Sequence, residues 1–430
     1  MTSLLLLALP LALFFIGLPV FAVLLTIAAA ALLWFASVPP LALHQVMFGG
    51  IDNYALLAVP FFIFAGELMG RGGIAERLVR WVNSFTGPLP GSLALTAIGS
   101  STLMGAISGS SPATVAALGK TLYPGLRRAG YSAPFAAGLL SSSGSVAIVL
   151  PPSIAMILYG AAAEQSIPKL FIAGMLPGLL IGLAMALYVM LRVRRSKPGQ
   201  AIGQPLGQPF CWAAFAAATR QAWAALLMPV FILAGIYLGW FSPTEAGGFA
   251  CAYAILCSRF VLRSLSWRET LAAAAEAAWL TAQVLVIVAG AAAFSWILTI
   301  LGVPQALLQW LGELNLSSNQ FLLAVNAVLL LLGCIVDPTS AILVLAPILV
   351  PMASSLGIDP IHFGVIMVVN LSLGMFTPPF GLNLFVAQSV LGVDLHTIWR
   401  GIVPFFLVQL VALLLITYIP ALSLLLANPL

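Results

Sequence analysis

Four short stretches of this 430-residue chain combine hydroxyl or amide side chains with glycine or proline inside otherwise apolar sequence. Glycine and proline loosen a helix and free its carbonyl groups, while serine, threonine and asparagine add uncharged oxygen atoms. A sodium ion needs several such oxygens, and a helix that restarts after an interruption offers a partially positive N-terminus suited to a carboxylate. The stretches therefore predict binding of a cation together with an organic anion.

The candidate residues fall into two sets of similar composition. The sodium-binding candidates of the first half are Ser108, Gly109, Ser110, Ser111, Ser141, Ser142, Ser143 and Gly144. Those of the second half are Asp337, Thr339, Asn370, Ser372, Gly374 and Thr377. The helix-breaking prolines are Pro112, Pro151, Pro152, Pro338, Pro378 and Pro379. Small residues also allow close helix packing in membranes, which for any single serine is about as good an explanation.

The proline spacing indicates that the chain consists of two homologous halves. Pro112 and Pro338 are 226 residues apart. Three further pairs keep offsets of 226 or 227 residues: Pro124 and Pro351, Pro134 and Pro360, and the doublets Pro151-Pro152 and Pro378-Pro379. Prolines are common here, 29 in all, but a matched doublet makes chance the weaker explanation. Interrupted apolar helices that recur in both halves are typical of the binding sites of secondary transporters.

The composition predicts an all-α polytopic membrane protein. Hydrophobic residues make up 62% of the chain and charged residues 6%, against about a quarter charged in soluble domains. The apolar stretches reach the roughly 20 residues that a spanning helix needs, and the alternating segments of a membrane barrel are absent. The four cysteines show no paired CxxC spacing, so neither a disulfide framework nor a metal site other than sodium is predicted.

The basic residues predict how the chain crosses the lipid bilayer. We interpret the first apolar run, Leu4 to Phe35, as two helices that meet near Gly17 and Pro19, because one helix would overshoot the roughly 30 Å core. Of the 16 Lys and Arg residues, 15 are then cytoplasmic or lie on hairpin arms that face the cytoplasm, with Lys169 as the exception. This placement explains the net charge of +5 without nucleic-acid binding. Both termini are predicted to be periplasmic, and the second half is inverted relative to the first.

The predicted organisation is an N-terminal repeat (residues 1–195), a cytoplasmic linker (196–219) and a C-terminal repeat (220–430). The first repeat contains a re-entrant hairpin at about 92–126, on the cytoplasmic side, and a broken helix at about 133–163. The second contains a hairpin at about 320–356, on the periplasmic side, and a broken helix at about 361–390. Of the acidic residues near membrane segments, Glu67, Glu164 and Asp337, we favour Asp337 as functional because it adjoins the second hairpin's tip.

Several of these stretches resemble one known family. They are SGSSPATVAALG (108–119), PGLRRAGYSAPFAAGLL (124–140), PPSIAMILYG (151–160), LAPILVPMASSLGIDPIHFGVIMVVNLSLGMFTPPFG (345–381) and PFFIFAGELMGRGGIAERLV (60–79). They are similar to the large membrane subunit, the DctM type, of tripartite ATP-independent periplasmic (TRAP) transporters. The resemblance covers essentially the whole chain.

The resemblance implies a sodium-coupled importer of the bacterial inner membrane that works by an elevator motion of a transport domain against a scaffold. It implies substrates that are small organic anions, such as C4-dicarboxylates or sialic acids, with sodium as the coupling ion. It also implies two separate partner chains, a small four-helix DctQ-type membrane subunit and a periplasmic DctP-type binding protein. The sodium sites would lie between each hairpin tip and its broken helix. The first of these turns, SSSGSVAIVLPPS, is richer in serine than the resemblance leads us to expect.

Three other functions are compatible with parts of the pattern. A stand-alone sodium- or proton-coupled carboxylate carrier has the same kind of elements but needs no binding protein. A channel is also built from half-helices that enter from both faces, although breaks in both halves fit alternating access better. An intramembrane enzyme is the weakest alternative, because HExxH and GxSxG motifs are absent and the three histidines lie near segment ends.

Overall fold

The computed structural model describes residues 13, 16–35, 38–195, 210–313 and 316–427, and within these ranges the chain forms helices and no β-strand. The helices before residue 200 are α1 (Val20–Phe35), α2 (Leu41–Ile51), α3 (Ala58–Arg71), α4 (Ile74–Thr86), α5 (Ser92–Ser108), α6 (Ser111–Arg128), α7 (Ala133–Ser143), α8 (Val146–Val149), α9 (Ile154–Ala162) and α10 (Ile167–Arg194). Those that follow are α11 (Trp212–Tyr237), α12 (Pro243–Leu256), α13 (Trp267–Ile300), α14 (Val303–Glu313), α15 (Ser318–Gly333), α16 (Pro338–Ser355), α17 (Pro360–Gly374), α18 (Leu382–Leu391), α19 (Leu395–Tyr418) and α20 (Ala421–Leu424).

The helices are long and apolar enough for a protein that crosses the membrane many times. In the described part of the chain, six helical segments meet the length and hydropathy of a membrane span, or seven if the bent pair at 133–162 is one span. The longest, α13, has 34 residues, and α10 has 28. At 1.5 Å rise per residue both exceed the roughly 30 Å hydrocarbon core. The predicted all-α polytopic fold is confirmed.

Each half contains a helical hairpin with a short, sharply turned tip. In the first half, α5 and α6 pack against each other and are joined by Gly109, at φ +58°, and Ser110. Glycine adopts this left-handed conformation without the steric cost that a Cβ atom brings. In the second half, α15 and α16 are joined by residues 334–337, and Asp337 caps the N-terminus of α16. We call residues 108–112 the first tip and residues 334–339 the second tip.

Each half also contains a helix that is interrupted near its middle. In the first half α7 ends at Ser143, the short helix α8 follows, and α9 starts at Ile154, with a bend of 43° across the last gap. In the second half α17 ends at Gly374 and α18 starts at Leu382. Both proline doublets lie in these gaps and carry cis peptide bonds. We call residues 144–153 the first break and residues 375–381 the second break.

Helices α1 to α4 and α11 to α13 form a wall against which the hairpins and broken helices pack. Helix α13 contacts α1, α2 and α3, and α3 in turn packs along α12. Helix α4 connects this wall to the first hairpin, since it packs on both α11 and α5. Its Trp81 indole donates a 3.0 Å hydrogen bond to Thr219 of α11. On the other side, α13 contacts α16 of the second hairpin, and a cleft lined by both helices runs along α13.

The structure differs from the sequence prediction in the linker and in the segment after the first apolar run. Helix α11 begins at Trp212, so residues 212–219 of the predicted linker are helical, as its alanine-rich sequence favours. Residues 196–209 of the linker lie outside the described residues. Helix α2 was not predicted at all. The predicted division of the first apolar run is consistent with α1 starting directly after Pro19, although residues 1–12 are likewise outside the described part.

Candidate functional site

The first tip lies directly against the first break. A Cβ atom on Gly109 would come within 2.8 Å of the Pro152 carbonyl oxygen, and one on Gly105 would overlap the backbone of Ala147. A Cβ atom on Gly144 would lie 3.0 Å from the hydroxyl oxygen of Ser111. Only residues without a side chain allow backbones to approach this closely. The glycines of the first half therefore bring its tip and its break together.

The second tip lies against the second break in the same manner. A Cβ atom on Gly374 would overlap the backbone of Gly333, which ends the helix leading into the tip. Beside this contact lies a cavity of about 250 Å³, the tip-2 cavity. Its lining residues are Val20, Gly333, Cys334, Ile335, Val336, Asp337, Met375, Phe380 and Leu382. Thus in each half the structure juxtaposes the two elements between which a sodium site is predicted.

Both tips also line one common cavity of about 260 Å³, the inter-tip cavity. The first tip contributes Ser108, Gly109, Ser110, Ser111 and Pro112, and the second contributes Asp337, Pro338 and Thr339. The opposite wall is formed by Ile63, Gly66 and Glu67 of α3 and by Leu280, Gln283 and Val284 of α13. The N-termini of α6 and α16 thereby face the same space. A helix N-terminus carries partial positive charge and unpaired N–H groups, and both favour an anion.

The charged side chains at the inter-tip cavity are acidic. Glu67 and Asp337 line it, and no Lys or Arg does so among the residues that the structure describes. Glu67 accepts a 2.6 Å hydrogen bond from Arg71, one helical turn away on α3. The carboxylate of Asp337 accepts hydrogen bonds from the backbone N–H of Ser340 (3.1 Å) and from its hydroxyl (2.5 Å). An anion in this cavity would thus depend on helix N-termini or on a bound cation for charge compensation.

A larger cavity, about 580 Å³, continues the same cleft toward the other end of α13. Helix α13 lines the inter-tip cavity with residues 280–284 and the larger cavity with residues 288–299. Helix α16 does the same with residues 338–339 and 343–351. The larger cavity is also lined by Asn53, Glu164 and the small residues Gly49, Gly50, Ala161, Ala162 and Ala163. The two cavities therefore lie end to end between the helix wall and the hairpins.

The three serines that end α7 use their hydroxyl groups inside the helix. The hydroxyl groups of Ser141, Ser142 and Ser143 donate to the carbonyl oxygens of Ala137, Gly138 and Leu139, each one turn earlier. Serine in a helix often bonds back in this way. All three residues are fully buried, and none lines the cavities described above. What this end of α7 offers to other groups is its carbonyl oxygens.

Two amide side chains from the second half bind those carbonyl groups. The amide nitrogen of Asn383, on α18, donates to the Ser111 hydroxyl (2.7 Å) and to the Ser141 carbonyl oxygen (3.1 Å). The amide nitrogen of Gln409, on α19, donates to the Ser142 carbonyl oxygen at 3.0 Å. The Gln409 oxygen accepts a 2.8 Å hydrogen bond from Ser145. The end of α7 and, through Ser145, the start of the first break are thus held by side chains of the other half.

The second-half candidates divide into two groups. Asp337 and Thr339 line the inter-tip cavity. The Asn370 amide instead donates to the backbone and side-chain oxygens of Asn326 on α15, at 3.0 and 2.7 Å. The hydroxyl groups of Ser372 and Thr377 donate to the carbonyl oxygens of Val369 and Leu373 within their own segment. The structure therefore does not bring Asn370 and Ser372 into the cavities, although both lie on the helix that leads into the second break.

Sequence reasoning missed Asn383, Gln409, Asn326 and Gln283. A signal for the first two was present, since each is an amide in a largely apolar stretch, GLNLFVAQSV for Asn383 and PFFLVQLVALL for Gln409. Polar side chains inside membrane helices are costly unless they find partners, so they mark contacts between helices. Which partners they find is not visible in local spacing.

Comparison with known proteins identifies one transporter family that matches nearly the whole chain. The family model described as "Tripartite ATP-independent periplasmic transporter, DctM component" matches residues 7–422. The C4-dicarboxylate TRAP transporter large permease protein DctM of Pseudomonas aeruginosa is 42% identical over 382 residues, which cover 89% of this chain and 88% of that protein. The sialic acid TRAP transporter large permease protein SiaM of Vibrio cholerae is 37% identical over 416 residues, 97% of this chain and 96% of that protein.

A solved structure shows the same fold. The YdaH transporter of Alcanivorax borkumensis superimposes with a TM-score of 0.63, covering 95% of this chain and 98% of that one, at 17% identity. The relatives that match by sequence are transporter permeases and not enzymes. From the family match across nearly its whole length, we conclude that this chain belongs to the DctM family, the large membrane permeases of tripartite ATP-independent periplasmic transporters.

Proposed function

We propose that this permease imports a small organic anion across the bacterial inner membrane together with sodium, and that the inter-tip cavity is where the anion is held. The observation that carries this proposal is the meeting of both hairpin tips in that cavity. Two helix N-termini and two sets of freed backbone groups converge there, although they come from opposite halves of the sequence. The volume of about 260 Å³ suits a small anion, such as a C4-dicarboxylate, better than a large ligand.

Sodium coupling is supported by the charges around this cavity. Glu67, which is paired with Arg71, and Asp337 line it, so an anion there would depend on helix N-termini or on a bound cation for positive charge. Sodium ions held between each tip and its break would supply that charge a short distance away. Backbone carbonyl groups and serine or threonine oxygens bind such hard cations at broken helices of secondary transporters. The substrate and the ion would then stabilise each other's binding.

The substrate class rests on the relatives. The Pseudomonas and Vibrio permeases are named for C4-dicarboxylate and sialic acid, which are both carboxylates. The cleft along α13 suggests the route, because the larger cavity follows the inter-tip cavity along α13 and α16. An elevator motion would carry the tips along this cleft, with the wall of α3 and α13 as the scaffold.

The family description also supports two partner chains, since the transporters are tripartite. We propose that a small four-helix membrane subunit and a periplasmic binding protein complete the system. With the basic loops in the cytoplasm, both termini of this chain would lie in the periplasm.

A thermal unfolding experiment on the purified, detergent-solubilised chain tests ion coupling. A ligand that binds only the folded state stabilises it by RT ln(1 + [L]/Kd), or about 2.7 kcal/mol at 100 times Kd. We expect NaCl to raise the unfolding midpoint saturably, and KCl of equal ionic strength to leave it unchanged. Succinate, used as the C4-dicarboxylate probe, is expected to raise the midpoint further in NaCl only. Equal midpoints in NaCl and KCl would contradict sodium coupling and favour a proton-coupled carrier.

A further inference from the structure

The side chain of Asn383 is buried with one half of its amide group unused. Asn383 is fully buried, and its nitrogen donates to the Ser111 hydroxyl and to the Ser141 carbonyl oxygen. Its oxygen atom Oδ1 has no hydrogen-bond partner among the described residues. Buried polar atoms are nearly always paired, so an unpaired amide oxygen in the interior requires an explanation.

The two acceptors of the Asn383 amide are the kind of atoms that bind a sodium ion. A hydroxyl oxygen and a backbone carbonyl oxygen converge on one point, and Gly144 packs closely beside it, since a Cβ atom there would lie 3.0 Å from the Ser111 hydroxyl oxygen and 2.5 Å from the Val115 side chain. The amide N–H group, with its partial positive charge, occupies the position that a cation would take. The Ser141 carbonyl fixes this orientation because a carbonyl oxygen accepts hydrogen bonds and cannot donate one.

A rotation of the amide group by half a turn would exchange its two ends. The oxygen Oδ1 would then lie beside the Ser111 hydroxyl group, which can donate to it, and beside the Ser141 carbonyl oxygen, which cannot. The two acceptor oxygens would repel each other unless a cation lay between them. With a cation present, the same three atoms are ligands. The side chain has therefore one favourable orientation without the ion and the opposite one with it.

Asn383 also connects this point to the second break. Its backbone N–H donates a 2.9 Å hydrogen bond to the carbonyl oxygen of Met375, at the start of that break. The preceding residue, Leu382, lines both the inter-tip and the tip-2 cavities. Helix α18 packs against α6 and α7, the helices that carry Ser111 and Ser141. Asn383 thus adjoins, along the backbone, a residue that lines both cavities.

We propose that Asn383 is a sodium ligand contributed by the second half to the first-half site, and that its amide rotation couples occupancy of that site to the second break. This inference rests on the proposed sodium symport. It predicts cooperative sodium binding, because the ion that recruits Asn383 Oδ1 also fixes the start of α18 and with it the carbonyl groups of residues 375–381.

The test compares sodium titrations of three variants of the full-length chain, followed by thermal unfolding in detergent. Asn383→Leu keeps the volume but removes both ends of the amide. We expect its half-saturating sodium concentration to rise about 10- to 100-fold, the effect of removing a group that supports metal binding, and the Hill coefficient to fall toward one. Asn383→Asp keeps an oxygen ligand and adds charge, so we expect its half-saturating concentration to be lower than that of the wild type.

Gln409→Met is the matched control. Gln409 is an equally buried amide that holds the same end of α7, but both its nitrogen and its oxygen are already paired. Its loss should lower the unfolding midpoint in KCl without changing the half-saturating sodium concentration or the Hill coefficient. If Asn383→Leu does not fold, Asn383→Asp alone decides the question.

The possible results separate the two proposals. If sodium stabilises the wild type and both Asn383 variants keep its half-saturating concentration and Hill coefficient, Asn383 is a structural residue and the inference is wrong, while sodium symport stands. If Gln409→Met shifts the sodium titration as much as Asn383→Leu does, the effect is general loosening of α7, and the inference is also wrong. If sodium does not stabilise the wild type, both proposals fail together.

Discussion

The two breaks are built from matching sequence elements but are enclosed very differently. Every residue from 141 to 153 is buried, and the freed carbonyl groups of this region are held by Asn383 and Gln409. In the second break Pro379 is exposed, the Phe380 side chain is 59% exposed, and a cavity of about 250 Å³ separates the segment from part of the second tip. The first break is closed and the second is partly open.

This difference predicts that the ion sites of the two halves form in different ways. A site whose ligands are already held in place binds its ion without ordering the backbone, whereas an open segment must lose conformational freedom when it closes. We therefore expect the first-half site to be preformed and the second-half site to assemble on binding. Because Met375 of the second break and Leu382 directly after it line the inter-tip cavity, we expect closure of this break to enclose the proposed substrate site.

The largest effect on stability should come from adding a methyl group where the backbone of a hairpin touches the backbone of the neighbouring broken helix. Gly105→Ala would push Cβ into the Ala147 backbone, and Gly374→Ala would push it into Gly333. The closed first half cannot yield, so Gly105→Ala should lower the free energy of unfolding by about 3 kcal/mol, the upper end of typical overpacking costs. The second half can expand into its cavity, so Gly374→Ala should cost only about 1 kcal/mol.

Denaturant unfolding in KCl measures both values. Gly248→Ala is the control, since no atom lies within 4 Å of the position its Cβ would take and alanine is a better helix former than glycine. This variant should be at least as stable as the wild type. A larger loss for Gly374→Ala than for Gly105→Ala would reverse the assignment of the rigid and the open half.

A smaller difference in stability loss between the two halves is expected when the hydroxyl groups predicted to bind sodium are removed. Ser111→Ala removes a buried acceptor of the Asn383 amide, which should cost about 1–3 kcal/mol of stability. Thr377→Ala removes only a hydrogen bond to Leu373 in a half-buried turn, worth about 0.5–1 kcal/mol. Both variants should raise the sodium concentration needed for half-maximal stabilisation. A variant with an unchanged sodium titration would exclude that hydroxyl as a ligand, and equal stability losses would contradict the contrast between the breaks.

The sequence was sufficient to locate the tips and breaks because their signals are local. Gly109 and the two proline doublets are residue types that interrupt helices wherever they occur, and their equal spacing revealed the repeat. The helix α2 was missed because Pro39 and Pro40 precede it and two consecutive glycines lie inside it. Such a pattern of proline and glycine predicts a loop.

The amide contacts were not predictable in the same way. Asn383 is 242 residues from Ser141, and Gln409 is 267 residues from Ser142. Neither has a polar counterpart at the repeat offset, since Met156 lies 227 residues before Asn383 and Leu183 lies 226 before Gln409. The internal repeat thus predicts what the two halves share. It does not predict the contacts by which one half closes the break of the other, and these contacts produce the difference between the two breaks.

The smallest expected effect is a change in the rate at which a cysteine placed in the second break is chemically labelled. Of the four cysteines, Cys211 is exposed and the other three are buried, so Cys211→Ser gives a background for labelling with a maleimide. In that background Phe380→Cys should react rapidly in KCl, because residue 380 is exposed, and Ser143→Cys should react only when the protein unfolds. If sodium favours closure by about 1 kcal/mol, it should slow labelling of Phe380→Cys roughly fivefold. If Ser143→Cys is labelled as fast as Phe380→Cys, the first break opens too. If sodium stabilises the protein but does not change the labelling rate of Phe380→Cys, the second break does not close when sodium binds.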